Sequence, residues 1–517
     1  VWLATLLFGL VGAVWTVAVP AYRAPDEPAH LDLVLYLAEG HPYPAFDGRY
    51  FGEAMRLDSE RHLIDSHDRW PRFDAADAPP RGQRPDVADL GGTTPDGDAR
   101  HPDDQRAGYP FVYNQMPQHP PLFYDAMAGI VRAERWLLPG YGLPSLDREL
   151  GMLRVVNVLL VTPLPLLAWA TVRRLGGGDR AGVVASLLPL GLPQLSHICS
   201  TLNNDNLLIL LGGVLAVLLA GLGRGRRTWR TDVAVGAVLG LSLLTKAFAL
   251  MFVPGVVAAY ALGAWTTRRW RAGALGLAVS GGLGAALGTW WWIANWVNHG
   301  EPAPTSETLT HTTAQQPAGF EPDRLGYAQL FVERLLSRTW AWVGFRTPKF
   351  ELSMWFVWLL TALAAAAVAV AVVRAARGLA TGGGPRRWDV ALAWAATLCT
   401  VVFVYRRAWG LHQTTGGWPF IQGRYLYGTL VAPMAVVGLG VAAALGRRAL
   451  WAALGLVVGL QVLVLTIVVR GSWSGPGALG SLRGALAWSP WPPAFALAAA
   501  LGAVAAAVAL AAEARKL

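Results

Sequence analysis

Apolar runs of about 20 residues recur from one end of this chain to the other. Each is long enough to cross the ~30 Å hydrocarbon core of a bilayer as a helix. In lipid every backbone N–H and C=O must be satisfied internally, which leaves helices and closed barrels, and these runs are too long for barrel strands. The expected fold class is therefore all-α, a polytopic membrane protein. Composition agrees: of 517 residues, 54% are hydrophobic and only 15% charged, with a mean hydropathy of +0.38, against about 25% charged residues in soluble domains. The 58 glycines would suggest disorder in a soluble chain, but in a membrane bundle glycine is common where helices touch.

The net charge of +10 comes from basic residues scattered in short clusters between the apolar runs. No basic face is formed, so nucleic acid is not an expected partner. Two cysteines, Cys199 and Cys399, offer neither a disulfide framework nor a zinc spacing. No small-residue cleavage site precedes Asp26, so no cleavable signal peptide is expected.

About twelve spans are read, from 1–20 to 491–512, with basic clusters marking their cytoplasmic ends. Arg173-Arg174, Arg224 to Arg230, Arg268 to Arg271, Arg374/Arg377/Arg386/Arg387, Arg447-Arg448 and Arg515-Lys516 fall at alternate span ends. The alternation closes if residues 119–138 do not cross. That stretch carries Asp125, Arg132, Glu134 and Arg135 and reads as an interfacial helix on the outer leaflet; a buried crossing helix is the alternative. The organisation is then a first transmembrane helix (1–20), a large extracytoplasmic loop with an acidic motif and the interfacial helix (21–150), a transmembrane core (151–296), a second extracytoplasmic loop (297–352) and C-terminal transmembrane helices (353–517). Residues 21–118 hold 18 of the 33 acidic residues, and the Pro-, Gly- and Asp-rich stretch 70–110 reads as a loose surface loop. No internal repeat is evident, which weakens a transporter reading.

The polar residues that stand out lie where apolar runs meet the outer boundary. Ala24-Pro25-Asp26-Glu27-Pro28-Ala29-His30 follows the first span directly. Acidic groups there are costly unless they bind something, although Asp26 and Glu27 would also suit the first turn of a helix. Gln118-His119-Pro120-Pro121 sits at a helix start, either as a plain turn or as a placement of Gln118 and His119 near whatever Asp26 faces. Asn203-Asn204-Asp205-Asn206 opens a span, as a cap or as a polar ligand site. Lys246 interrupts an apolar run, where it either snorkels or meets a phosphate. Gln422-Gly423-Arg424-Tyr425 begins a late span with a positive charge against the usual bias; the planar fork of Arg424 suits phosphate. Arg154 opens the second span similarly, and His197 lies at a boundary position. Acidic and basic sets thus converge on one membrane face, which suits removing a proton from one partner while stabilising a phosphate leaving group on the other.

The order of these elements resembles the GT-C glycosyltransferases, integral-membrane enzymes that use polyprenyl-phosphate sugars. The resemblance spans roughly residues 20 to 430. It rests on Asp26-Glu27 with His30 after the first span, His119-Pro120-Pro121-Leu122 closing a long loop, Arg154, Asn204-Asp205, Thr245-Lys246, Trp291-Trp292 with Asn295, and Gln422-Gly423-Arg424-Tyr425. It is most similar to a bacterial branch. The resemblance implies a polyprenyl-phosphate-linked sugar donor, an extracytoplasmic acceptor (a cell-envelope glycan, lipid or protein), membrane lipids as surroundings, and the bacterial plasma membrane as location. Asp26 would be the general base, with Glu27 as the neighbouring catalytic candidate. Lys246 and Arg424 would hold the departing phosphate, and the anomeric carbon would invert. His30, Gln118, His119, Asn204, Asp205, Gln422 and Tyr425 complete the substrate-binding set. A divalent cation, Mg or Mn, stays open as a cofactor, because no Asp-x-Asp triplet accompanies Asp26. Two other readings stand beside this one: a polyprenyl-linked glycan transporter or flippase, and a non-catalytic envelope-assembly protein in which Asp26 and Arg424 form a structural ion pair.

Overall fold

The computed structural model describes residues 1–46, 48–62, 72–93, 114–138, 143–304, 319–344, 350–378 and 385–515. The apolar runs are helices, as the lipid argument requires. In chain order these are α1 (Trp2–Ala18), α2 (Glu27–Ala38), α3 (Glu53–Arg61), α4 (Leu122–Leu137), α5 (Leu146–Val161), α6 (Leu164–Arg174), α7 (Asp179–Leu187), α8 (Pro193–Cys199), α9 (Asp205–Gly223) and α10 (Trp229–Leu243). They continue with α11 (Val253–Thr267), α12 (Trp270–Gly288), α13 (Trp290–His299), α14 (Arg324–Trp340), α15 (Met354–Ala376), α16 (Arg387–Thr415), α17 (Val431–Leu445), α18 (Ala449–Ser472), α19 (Gly477–Trp488) and α20 (Pro493–Ala514). A two-stranded antiparallel ribbon pairs Trp342–Val343 with Phe350–Glu351.

Among the described residues, seven helices are long and apolar enough to cross a membrane, or up to nine if each bent pair is one span. The chain is a multi-pass membrane protein, but the expected count of twelve is not confirmed. α1 and α10, with 17 and 15 residues, are shorter than that measure requires. The apolar stretch Val431–Ser472 counts once, although a 3₁₀ turn at Gly446–Arg448 divides it. Two bends have local causes. α7 and α8 meet at 72° across a 3₁₀ turn, where Pro193 supplies no N–H to continue the ladder. α12 and α13 meet at 53° after Gly288.

Residues 119–138 form the amphipathic α4, which packs on α2 and is not among the candidate spans. Leu31, Leu35, Phe123, Tyr124, Met127, Leu150 and Leu153 make a buried core there. Where such a core is outside lipid, each large apolar side chain stabilises by about 1.5–3 kcal/mol. A buried pair steadies it: Arg49 donates twice to Asp32 at 2.8 Å, and Asn114 donates to the same carboxylate at 2.7 Å. The expectation of a loose loop over 70–110 is corrected where it is described. Over 72–93, Arg81 and Arg84 donate to the backbone carbonyls of Leu486, Ala487 and Trp488 at the end of α19. Residues 70, 71 and 94–110 lie outside the described residues, as does Lys516 of the last basic cluster.

Within the apolar bundle the hydrophobic effect does not draw helices together, because lipid is equally apolar; close packing at small residues does. One such contact positions the site. A Cβ at Gly212 of α9 would overlap the carbonyl of Gly428, so only glycine lets the turn Gly423–Thr429 seat against α9. Gly423 itself abuts the backbone of Arg338 and Thr339 at the end of α14. These contacts bring Arg424 to the end of α9 that begins with Asp205.

Candidate active site

Asp26 caps α2 with φ +61°, a left-handed backbone that a short polar side chain tolerates better than most. Its side chain is 13% exposed. Arg424 Nη2 donates to Asp26 Oδ2 at 2.7 Å, and Gln115 Nε2 donates to Oδ1 at 3.3 Å. Arg424 Nε lies 3.9 Å from Asp205 Oδ2. Lys246, in the break between α10 and the 3₁₀ turn Ala247–Phe252, donates from Nζ to Asp205 Oδ1 at 2.6 Å and to Asn204 Oδ1 at 3.2 Å. Asn204 Nδ2 donates in turn to Tyr124 Oη at 3.3 Å, and Tyr124 Oη is 3.0 Å from His30 Nδ1. The His30 and Tyr124 rings stack at 5.7 Å. The chain Asp26–Arg424–Asp205–Lys246–Asn204–Tyr124–His30 is therefore continuous, and it joins five remote segments of sequence.

Burial holds His30 well below the ordinary imidazole range, with Lys246 and Arg424 adding to the effect. His119 is lowered likewise, first by burial and then by Lys246, which places its imidazole in the field of the same cluster. Both rings are neutral near pH 7. With Nδ1 of His30 free to accept, the hydrogen bonds run in one direction from the Lys246 ammonium through Asn204 and Tyr124 to His30. Burial also raises the Tyr124 phenol well above its usual range, so its hydroxyl keeps the proton this direction needs.

Two carboxylates and two cations balance one another here, but the pairing is incomplete. Arg424 Nε and Asp205 Oδ2 are buried atoms with no hydrogen-bond partner among the described residues. The two atoms face each other at 3.9 Å, an ion contact without a hydrogen bond, and a buried donor or acceptor left so costs up to about 1–3 kcal/mol. Tyr425 forms an apolar wall, stacked on Phe248 at 4.5 Å with Lys246 5.8 Å from its ring.

The remaining candidates are distributed as follows. Gln422 is half-buried at the start of the 3₁₀ turn, and its carbonyl accepts from Tyr425 N. Gln118 is half-buried at the end of the turn Met116–Gln118, and the carbonyl of His119 accepts from Tyr43 Oη at 2.7 Å. His197 is buried 6.1 Å from Trp15, with neither ring nitrogen hydrogen-bonded among the described residues. Glu27 turns away from Asp26. Arg154 grips it in a bidentate pair, Nε to Oε1 at 2.8 Å and Nη2 to Oε2 at 2.5 Å, and the backbone N–H groups of Leu202 and Tyr22 complete its acceptors. Gln115 and Tyr124 were not among the residues selected from sequence. Tyr124 stood at the end of the His119-Pro120-Pro121 segment, whereas Gln115 carried no signal.

No group of three or more His, Cys, Asp or Glu side chains among the described residues is placed to hold a metal ion. Asp26 and Asp205 are instead bridged by the Arg424 guanidinium, so a divalent cation does not fit this donor set, and no step below passes through one.

A model of the dolichyl-phosphate-mannose-protein mannosyltransferase family matches residues 147–292. Arg154, Asn204, Asp205, Lys246, Trp291 and Trp292 lie inside that stretch, whereas Asp26, His30, His119 and Arg424 lie outside it. Among solved structures the chain is similar to ArnT from Cupriavidus metallidurans bound to undecaprenyl phosphate, at 16% identity and a TM-score of 0.45, covering 98% of this chain and 76% of that one. It is also similar to the apo oligosaccharyltransferase of Archaeoglobus fulgidus, at 12% identity and a TM-score of 0.39, covering 99% of this chain and 56% of that one. No curated protein sequence is a significant match.

Proposed function

We propose that this chain is a membrane glycosyltransferase that moves a sugar from a polyprenyl-phosphate donor to a hydroxyl-bearing acceptor at the extracytoplasmic face of the bacterial plasma membrane. The observation that carries the reading is the convergence of Asp26, Asp205, Lys246 and Arg424 in one partly open network. The description of the matching family, a transferase acting from a lipid phosphate-linked sugar, supports the same donor class.

The donor phosphate displaces Asp26 from Arg424, meeting both Nη2 and the unmatched Nε, with Lys246 as the second cation. Charge-assisted bonds of this kind are roughly twice as strong as neutral ones. Asp26, released, accepts the proton of the acceptor hydroxyl while that oxygen attacks the anomeric carbon. The bond from carbon to phosphate oxygen breaks with its electron pair on the phosphate, and the configuration inverts. Arg424 and Lys246 stabilise the charge that develops there. Asp205 steers Lys246, and its free oxygen is available to a sugar hydroxyl. Glu27, held by Arg154, keeps the Asp26 turn in place.

The Asp26–Arg424 contact also fits a structural ion pair in a non-catalytic assembly protein. The unmatched Nε and Oδ2, and the partial exposure of both side chains, favour the catalytic reading. The test is transfer from a labelled polyprenyl-phosphate sugar in proteoliposomes. Asp26→Asn is expected to lower turnover at least about 10²-fold, the usual share of a general base, and to leave donor binding equal or tighter because a competitor for Arg424 is gone. Turnover near the wild-type rate removes Asp26 from the base role.

A further inference from the structure

At the opposite end of α9, some 19 residues and about 28 Å from Asp205, a second polar cavity opens among the ends of α9, α11 and α12. Its volume is about 90 Å³, and Arg227, Tyr260, Thr267, Arg269 and Ala272 line it. About 10–15 Å³ admits one water, so a phosphate group fits.

The floor of this cavity is a buried cluster. Asp232 accepts from Arg227 Nε at 3.0 Å, Arg227 Nη2 at 2.5 Å and Tyr260 Oη at 2.8 Å, and Tyr260 contacts Ser280 at 2.5 Å. Asp232 thus fixes the plane of Arg227 and engages two of its three nitrogens. The third, Nη1, has no role in that pair, and the Arg227 side chain remains 26% exposed. Arg269 also lines the cavity, as the residue that precedes α12, and Ala272 belongs to the first turn of that helix, whose leading N–H groups have no intrahelical acceptor. Formal charge over Arg227, Asp232 and Arg269 is one positive, and Arg226, Arg230, Arg268 and Arg271 flank the lining residues in sequence.

We infer that this cavity binds a phosphate-bearing anion, presented either by an anionic phospholipid headgroup or as free phosphate. It is separate from the donor site. The fixed Arg227 plane and the exposed Arg269 side chain would both hold the phosphate. Basic pockets between transmembrane helices are the usual means of recognising anionic headgroups.

The test uses the full chain, delipidated in detergent, with native mass spectrometry and thermal unfolding read together. The probes are phosphatidylglycerol, phosphatidylcholine and inorganic phosphate. Phosphatidylglycerol is expected to bind with a rise in melting temperature, and Arg269→Ala to weaken it about tenfold, as loss of one charged hydrogen bond implies. Arg269→Lys should retain most of the binding. Arg230→Ala, near Arg227 in sequence but outside the lining, should bind like wild type. Response to phosphatidylglycerol alone identifies the headgroup as the source, and an equal response to inorganic phosphate identifies free phosphate. Binding of phosphatidylcholine as tightly as phosphatidylglycerol, absence of any Arg269-dependent binding, or equal losses in Arg230→Ala and Arg269→Ala overturns the proposal.

Discussion

Asp26 and Glu27 are adjacent carboxylates, each paired with an arginine far away in sequence, yet their surroundings are opposite. Glu27 and Arg154 are 0% and 4% exposed, and Arg154 also donates to the carbonyls of Thr16, Val19 and Pro20. Every acceptor is matched, and the pair ties α1 to α5. Asp26 and Arg424 are 13% and 11% exposed, share one contact, and leave Arg424 Nε unmatched. The first arrangement is that of a structural joint, the second that of a receptor. A saturated buried pair gains nothing from a ligand, whereas an unsaturated one can exchange partners.

The comparison breaks most readily at the joint. Arg154→Ala strands a buried charge and is expected to cost about 3–5 kcal/mol, seen as a collapse of the melting temperature or of folded yield. An unchanged melting temperature would mean that Glu27–Arg154 is no joint. Asp26→Asn should reverse the pattern. Its 10²–10⁴-fold loss of turnover corresponds to about 3–5 kcal/mol of barrier, while stability should move by less than about 1 kcal/mol, since asparagine also accepts the left-handed backbone. A stability loss as large as that of Arg154→Ala would make both sites structural. Arg424→Lys keeps the charge and loses the fork, so donor affinity should weaken about tenfold at nearly constant melting temperature; an unchanged affinity excludes Arg424 from phosphate binding.

The smallest effect is that of pH. His30 and His119 have folded-state pKa values below the ~6.5 of the unfolded chain. The unfolded state therefore binds more protons below that point, and stability present above about pH 6.5 is lost as pH falls through it. The measurement is melting temperature from pH 7.5 to 5. His30→Gln should flatten the slope, and an identical slope in that variant would remove His30 as its source.

Much of the site was legible in the sequence because its members stand where apolar runs break. Asp26, Asn204-Asp205, Lys246 and Arg424 are each polar interruptions at such an end, and polar groups there are expensive enough to require a reason. What no run length or spacing encodes is partner choice. Glu27 finds Arg154 across 127 positions and Asp26 finds Arg424 across 398, so which neighbour would be the joint and which the receptor was not readable. The Asp32–Arg49–Asn114 cluster was missed for the same reason, being one residue of α2 and two loop residues united only by the tertiary fold. The twelve-span reading divides Val431–Ser472 at Arg447-Arg448, where the 3₁₀ turn Gly446–Arg448 does divide it, whereas hydropathy windows do not register that α1 has only 17 residues.

Those two separations also set a schedule for biosynthesis. At roughly 5–20 residues per second, Arg154 leaves the ribosome some 6–25 seconds after Glu27, whereas Arg424 follows Asp26 by roughly 20–80 seconds. The nascent chain therefore secures its first helices early, whereas Asp26 has no Arg424 to meet until residue 424 has been made. A product terminated before residue 424 would still join Glu27 to Arg154 at its beginning while leaving Asp26 without the partner it has in the full fold.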